Sequence, residues 1–193
     1  ENGERPSSSR HFHYDIAQIA SHIFDKLVKR DHNEQLQANL AVSWKPVEKN
    51  TWEIKLAKDA KWHDGSPFTA DDVMYSVERA KGGIPGSPTT PSRMFLTGGK
   101  TYKKIDDYTI HISTPGPYPL MPNEMTSILI MSSEAKGSGG SENYGIKAKD
   151  FNKGLATIGT GPYKFVEWKK GDRLVVEKYD GYKGPMGQPW DKM

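Results

Sequence analysis

The chain has 193 residues, 27 Lys and Arg against 24 Asp and Glu, no cysteine and a mean hydropathy of −0.74. That length can bury a core as one domain or two small ones, and the basic residues are scattered, not clustered, which argues against a nucleic-acid partner. The missing cysteines exclude a disulfide scaffold and thiol chemistry, and no apolar run approaches the ~18 residues a membrane helix requires.

Residues 1–10 are polar, with no signal-peptide pattern, and read as a flexible lead of a mature or processed form. Ile16, Ile19, Ala20, Ile23, Phe24 and Leu27 follow a three-four spacing that predicts a helix over Tyr14–Arg30. Leu36–Trp44 leads into a hairpin, with Ala41–Lys45 and Trp52–Leu56 flanking a turn that holds Pro46, Lys49 and Asn50. In Thr51–Ala57, Trp52, Ile54 and Leu56 share one face, the period-two pattern of a strand with one buried side. Asp64-Gly65 then marks a turn. Thr69 is placed as a helix N-cap, followed by Asp71 and Asp72 where the helix dipole favours negative charge. Val73, Val77 and Ala80 form the buried stripe of that helix, and Gly82-Gly83 ends it.

Gly82–Ser92 reads as a loop, and Met94-Phe95-Leu96 is a short apolar run. Tyr102–Thr114 reads as a strand in which Tyr108, Ile110 and Ile112 alternate with polar residues. Pro115–Pro122 is expected to be extended or turned, and Asn123–Met131, apolar at its end over Ile128–Met131, to be a buried strand or a helix end. Gly137–Ser141 is low-complexity, a flexible linker or an engineered joint. Tyr163–Trp168 and Arg173–Tyr179 form a second hairpin around Lys169-Lys170-Gly171-Asp172.

A search for chemistry leaves little. His11 and His13, near Asp15, could start a metal site, but no third ligand follows at a recognisable spacing. His63-Asp64 lacks a nucleophile, and Asp64 is accounted for by its turn. Asp71 and Asp72 are accounted for as the opening of a capped helix. Gly159-Thr160-Gly161 has neither the spacing nor the lysine of a phosphate loop, and Ser132-Ser133-Glu134 lacks a Gly-x-Ser-x-Gly context. No catalytic or metal-binding residue is assigned and no cofactor is expected.

Taken together, three runs resemble the signature of the family 5 extracellular solute-binding proteins, the oligopeptide-, dipeptide- and nickel-binding receptors of ABC importers. They are Leu40-Ala41-Val42-Ser43-Trp44, Trp52-Glu53-Ile54-Lys55-Leu56, and the stretch from Trp62-His63-Asp64-Gly65 through Tyr75-Ser76. Gly159-Thr160-Gly161-Pro162-Tyr163 with its following hairpin is similar to a second block of that family, and Ile23–Val28 to its first helix. The resemblance spans about His11 to Met193. It implies an α/β (mixed α+β) fold of the periplasmic-binding-protein class II type, with a mixed, partly antiparallel sheet and flanking helices. It further implies that this chain is the first lobe, that residues 1–60 and 158–193 form its main part, that 61–157 form a smaller inserted subdomain, and that a second lobe lies outside it.

The implied function is that of the substrate-binding component of an importer. A peptide or similar solute would close two lobes on itself and be delivered to membrane permease subunits. A peptide chaperone or signalling receptor built on the same scaffold is the alternative in that class, and a hydrolase using His63 and Asp64 the alternative outside it. The resemblance also implies a periplasmic monomer, or an extracellular lipid-anchored one in a Gram-positive source. Ligands on this scaffold include peptides, nickel complexes, haem, opines and oligosaccharides. By analogy with the family's layout, the cleft wall would include His11, Phe12, His13 and Tyr14, then Met94 and Phe95, then Met125, Ser127 and Ile128. For the apolar members of this set, ordinary core packing is the competing reading.

Overall fold

A computed structural model describes residues 20–82, 98–135, 154, 156–169 and 172–192. Residues 20–23 are helical. They lead to β1 (Val28–Arg30), β2 (Leu36–Ala38), β3 (Ala41–Glu48) and β4 (Thr51–Leu56), then to helix α1 (Ala70–Lys81). The chain continues through β5 (Thr101–Asp106), β6 (Thr109–Ser113), the single turn α2 (Met121–Glu124), β7 (Tyr163–Lys169) and β8 (Arg173–Lys178). Among the described residues, no helix is long and apolar enough to cross a membrane. Gly137–Ser141, and all but Gly82 of the stretch Gly82–Ser92 expected to be a loop, lie outside the described residues.

The main sheet runs β3-β4-β6-β5, with every neighbouring pair antiparallel. Ile54 of β4 faces Ile110 of β6, and both are fully buried. Helix α1 covers this sheet with Val73, Val77 and Ala80, as the sequence predicts. Asp71 and Asp72 occupy its first turn, and Gly82 ends it in the left-handed conformation with its N–H on the Arg79 carbonyl. Trp62 and Phe68, from the segment before the helix, meet edge-on at 6.2 Å and are almost wholly buried. Strands β4 and β6 pair across the boundary expected at residues 60/61, and one core joins Leu40 and Ile54 to Trp62, Ile110 and Ile130.

The structure corrects three readings. The helix expected over Tyr14–Arg30 ends by residue 23, and Val28–Arg30 is a strand. The carbonyls a helix would use are taken by distant segments: Gly161 N–H bonds the Ile23 oxygen at 2.9 Å, Ile130 N–H that of Asp25, and Ala41 N–H that of Leu27, both at 2.8 Å. Tertiary partners have overridden local propensity. The stretch Tyr102–Thr114 is a hairpin, not one strand. Asp106 Oδ1 accepts the Tyr108 N–H at 2.8 Å, a side-chain turn that reverses the chain. The proline-rich connection, expected to be extended or turned through Pro122, ends in the helical turn α2. Pro122 sits in its first two positions, where a missing N–H costs nothing. Ile128 and Ile130 are buried with neither strand nor helix around them, and Leu129 makes only an isolated bridge to Lys26.

The second hairpin, β7–β8, forms as expected and closes a smaller cluster of Ile23, Phe24, Tyr163 and Val176. Ala20, Leu129 and Met131 pack against this cluster.

Candidate ligand-binding site

Of the wall residues that the resemblance implies, His11, Phe12, His13, Tyr14, Met94 and Phe95 lie outside the described residues. Met125 and Ile128 are only 3% and 4% exposed and pack in the main core with Leu27 and Val28. Ser127 is half-buried, with its N–H on the Glu124 carbonyl at 2.9 Å. Their neighbour Thr126, which carries no signal in the sequence, lines a cleft of about 260 Å³ together with Ser21, Phe24, Lys26, Lys29, Arg30 and Met186.

Lys29 of this cleft belongs to a buried network. Asp25, 2% exposed, pairs with Lys29 at 2.5 Å and receives the Thr160 hydroxyl at 3.5 Å. Burial pushes the Asp25 carboxyl up from its ordinary range, and Lys29 opposes that push. Lys29 also donates to the Tyr182 hydroxyl oxygen at 3.2 Å, which receives the Met186 N–H as well. Burial, followed by the Asp25 charge, raises the Tyr182 phenol. The network ties Lys29 of β1 to Tyr182 and, through its hydroxyl, to the Met186 backbone. Lys26 and Thr126 could have been noticed only by abandoning the helix over Tyr14–Arg30. On such a helix Lys26 is an ordinary solvated position.

The block Gly159-Thr160-Gly161 has a structural explanation rather than a chemical one. It runs so close to the residue 20–24 segment that a Cβ on Gly159 would overlap the Ile23 carbonyl oxygen, and one on Gly161 would lie 2.5 Å from the His22 carbonyl oxygen. His63 clasps the same block. Its Nδ1 accepts the Gly159 N–H at 3.2 Å and its Nε2–H donates to the Gly161 carbonyl at 2.9 Å. These two bonds require the neutral ring with its proton on Nε2. The Tyr179 ring lies edge-on at 4.9 Å, and its hydroxyl donates to the Trp62 carbonyl.

Burial first, then the Lys164 charge, holds His63 down at about 4, against opposing contributions from the Gly161 carbonyl and Asp64. Because the unfolded histidine, near pH 6.5, takes its proton first, His63 stabilises the fold fully above about pH 6.5. That contribution, roughly 2–3 kcal/mol, is lost as the pH falls from there towards 4. Asp25 acts the other way, since its raised carboxyl favours the fold at low pH. Urea midpoints at pH 7.0 and 4.5 for wild type and His63→Gln separate the two. Wild type loses more stability than the variant between those pH values, and parallel losses would remove His63 as the cause.

The remaining candidates for chemistry are engaged elsewhere. Asp64 Oδ1 accepts the N–H and hydroxyl of Ser66, and Gly65 takes φ +88°, so the turn is as expected. Asp71 pairs with Lys104 at 2.7 Å on the surface, and Asp72 is buried among donors. No group of three metal-binding side chains occurs among the described residues. A larger depression of about 720 Å³ lies beside Lys55, Asp106, Asp107 and Tyr108. Its polar groups largely satisfy one another: Lys55 donates to Thr109, Asp107 pairs with Lys104, and Lys58 sits over the Tyr108 ring. The smaller cleft, with its unmatched charge and apolar walls, is the better binding candidate.

The family model described as "Bacterial extracellular solute-binding proteins, family 5 Middle" matches residues 35–192. A glutathione-binding protein of Pectobacterium atrosepticum is 31% identical over 134 residues, which cover 68% of this chain and 24% of that protein. The periplasmic oligopeptide-binding protein of Escherichia coli is 26% identical over 178 residues, covering 85% of this chain and 32% of that one. Among solved structures, a Campylobacter jejuni protein in complex with Ni(L-His) superposes with a TM-score of 0.68 at 30% identity, over 83% of this chain and 30% of its own. The chain thus spans about a quarter to a third of the relatives it matches. The members named here are binding proteins, and the mixed α/β architecture with antiparallel sheets is that of the class II type. The chain belongs to the family 5 bacterial extracellular solute-binding proteins.

Proposed function

We propose that this chain is the first lobe of the substrate-binding component of an ABC importer, capturing a peptide or similar small solute for delivery to a membrane permease. The match over residues 35–192 carries the reading, because it runs through both signature blocks in one fold. Relatives whose names specify glutathione, oligopeptides and Ni(L-His) support a small, polar, often peptide-like solute. Residues 1–60 and 158–193 form the main part of the lobe and 61–157 its smaller subdomain, joined through the β4–β6 pairing. The wall includes His11, Phe12, His13 and Tyr14, then Met94 and Phe95, then Met125, Ser127 and Ile128, and of the last three Ser127 is half-buried while Met125 and Ile128 are buried. The opposite wall belongs to a second lobe outside residues 1–193, and closure of the two lobes exchanges cleft water for ligand contacts. The protein works outside the cytoplasmic membrane, as a periplasmic or lipid-anchored monomer without catalytic activity.

Thermal-shift titration of the complete gene product with peptide, sugar-conjugate and metal-complex libraries tests this. One ligand class stabilises it strongly, by about 2.7 kcal/mol at a hundredfold excess over Kd. Absence of any shift, with turnover of a generic ester or amide, would sink the reading. Residues 1–193 alone bind the same ligand only weakly, and sub-micromolar binding by them would show that a second wall is not needed.

A further inference from the structure

The cleft lined by Ser21, Phe24, Lys26, Arg30, Thr126 and Met186 carries an imbalance of charge. Lys29, which also lines it, is paired with Asp25. Arg30 is committed to the Asn123 side-chain oxygen at 2.9 Å, to the Glu34 carbonyl at 3.0 Å and to the Glu34 carboxylate at 3.5 Å. Lys26 has no acidic partner among the described residues, although it is half-buried. Burial and the neighbouring Lys29 charge hold its ammonium below the usual lysine range, the direction expected of a cation with no acidic partner among the described residues. The base of the side chain is well anchored. Its backbone bridges Leu129, and its carbonyl accepts the Asn39 side-chain amide at 2.8 Å.

We infer that this cleft is a subsite for a carboxylate carried on an apolar body, with Lys26 meeting the carboxylate and Phe24 and Met186 packing beside the carbon chain. The inference deepens the importer reading and rests on it for its biological meaning. Three features select this chemistry. The unpaired cation meets one carboxylate group, whereas the apolar side chains beside it leave the further oxygens of a phosphate without donors, and a second carboxylate on the solute would stay in solvent. Two apolar side chains suit a hydrocarbon stem. At about 260 Å³ the space holds one end of a small solute and not the whole of it. Thr126 already donates its hydroxyl to the Asn123 carbonyl at 2.7 Å, so it shapes the wall and the charge comes from Lys26.

The test is an amide-resolved NMR titration of the 193-residue chain with glutarate, with its uncharged diamide and with inorganic phosphate. Glutarate is expected to shift the amides of Ser21, Lys26, Arg30 and Thr126, and neither of the other two should match it. In Lys26→Gln the glutarate Kd rises about tenfold, and in Lys26→Arg it stays within about threefold of wild type. Equal binding of the diamide, tighter binding of phosphate, shifts confined to other regions, or an unchanged Kd in Lys26→Gln would each overturn the proposal. The wild-type comparison of glutarate with its diamide needs no variant, so a misfolded substitution cannot rescue the idea. A complete gene product that binds a peptide equally well with and without Lys26 would keep the importer reading and remove this one. Failure of every ligand class would remove the importer reading, and the glutarate titration would still decide the subsite.

Discussion

Gly159→Ala is expected to cost more than about 4 kcal/mol, enough to unfold much of the population of a domain whose total stability is of order 5–15 kcal/mol. The reason is backbone against backbone. The added methyl would overlap the Ile23 carbonyl oxygen, which is already held by the Gly161 N–H at 2.9 Å, and neither partner is the flexible end of a side chain. Relief requires parting residues 159–161 from residues 22–23. That would break the His63 bonds to Gly159 and Gly161 and open the cluster of Ile23, Phe24, Tyr163 and Val176. Gly65→Ala is the control. Gly65 also resists substitution, through φ +88°, but a Cβ there meets nothing within 4 Å, so only the left-handed strain of about 1 kcal/mol applies. Urea denaturation of the two variants should show a small midpoint shift for residue 65. For residue 159 it should show a loss of about 2 M or no cooperative transition. Equal losses at both positions would mean that close approach is not what the glycine is for.

That contrast also shows where the sequence is legible. Strand β4, helix α1 and hairpin β7–β8 announce themselves because their signals are local: alternation in Trp52-Glu53-Ile54-Lys55-Leu56, a cap and dipole acids at Thr69–Asp72, a turn between two apolar runs. Residues 23–30 do not. Their apolar spacing fits a helix, and only the distant N–H groups of Gly161, Ile130 and Ala41 decide otherwise. The hairpin at Asp106–Tyr108 was hidden for a different reason. Alternation continues on both sides of the turn, so the Asp106-Asp107 signal is easily read through. The candidate cleft inherits the first difficulty. Lys26 becomes conspicuous only once residues 24–27 leave the helix and are brought against Leu129 and Thr126. His63 shows the same limit from the other side. Its neighbours in sequence suggest a catalytic pair, whereas its ring partners are 96 and 98 residues away.

Asp72 is where a local reading was right and incomplete, and its replacement gives the second large effect. As a helix acid it accepts the Thr69 N–H on Oδ2 at 2.9 Å, the returning bond of a capping box. The same oxygen receives the indole N–H of Trp62 at 3.3 Å, and Oδ1 receives both the N–H and the hydroxyl of Ser133 at 2.8 Å. At 3% exposure the carboxylate thus joins the turn before α1, the helix itself and the segment that follows Ile130. Asp72→Ala strands these donors in the interior and is expected to cost about 3–5 kcal/mol. Asp72→Asn is the sharper test, because shape is kept while one acceptor becomes an NH₂ facing donors, at a cost of about 2–4 kcal/mol. If donors near Ser133 are the cause, Ser133→Ala should hurt less in the Asp72→Asn background than in wild type, with a coupling of about 1 kcal/mol or more. Strictly additive losses would reduce Asp72 to a helix cap. A cap alone is worth about 1 kcal/mol, so the size of the single-variant loss must agree with the coupling. The Trp62 near-ultraviolet dichroism reads the same event locally. It should weaken in Asp72→Asn and remain intact in an exposed helix variant such as Asp71→Asn.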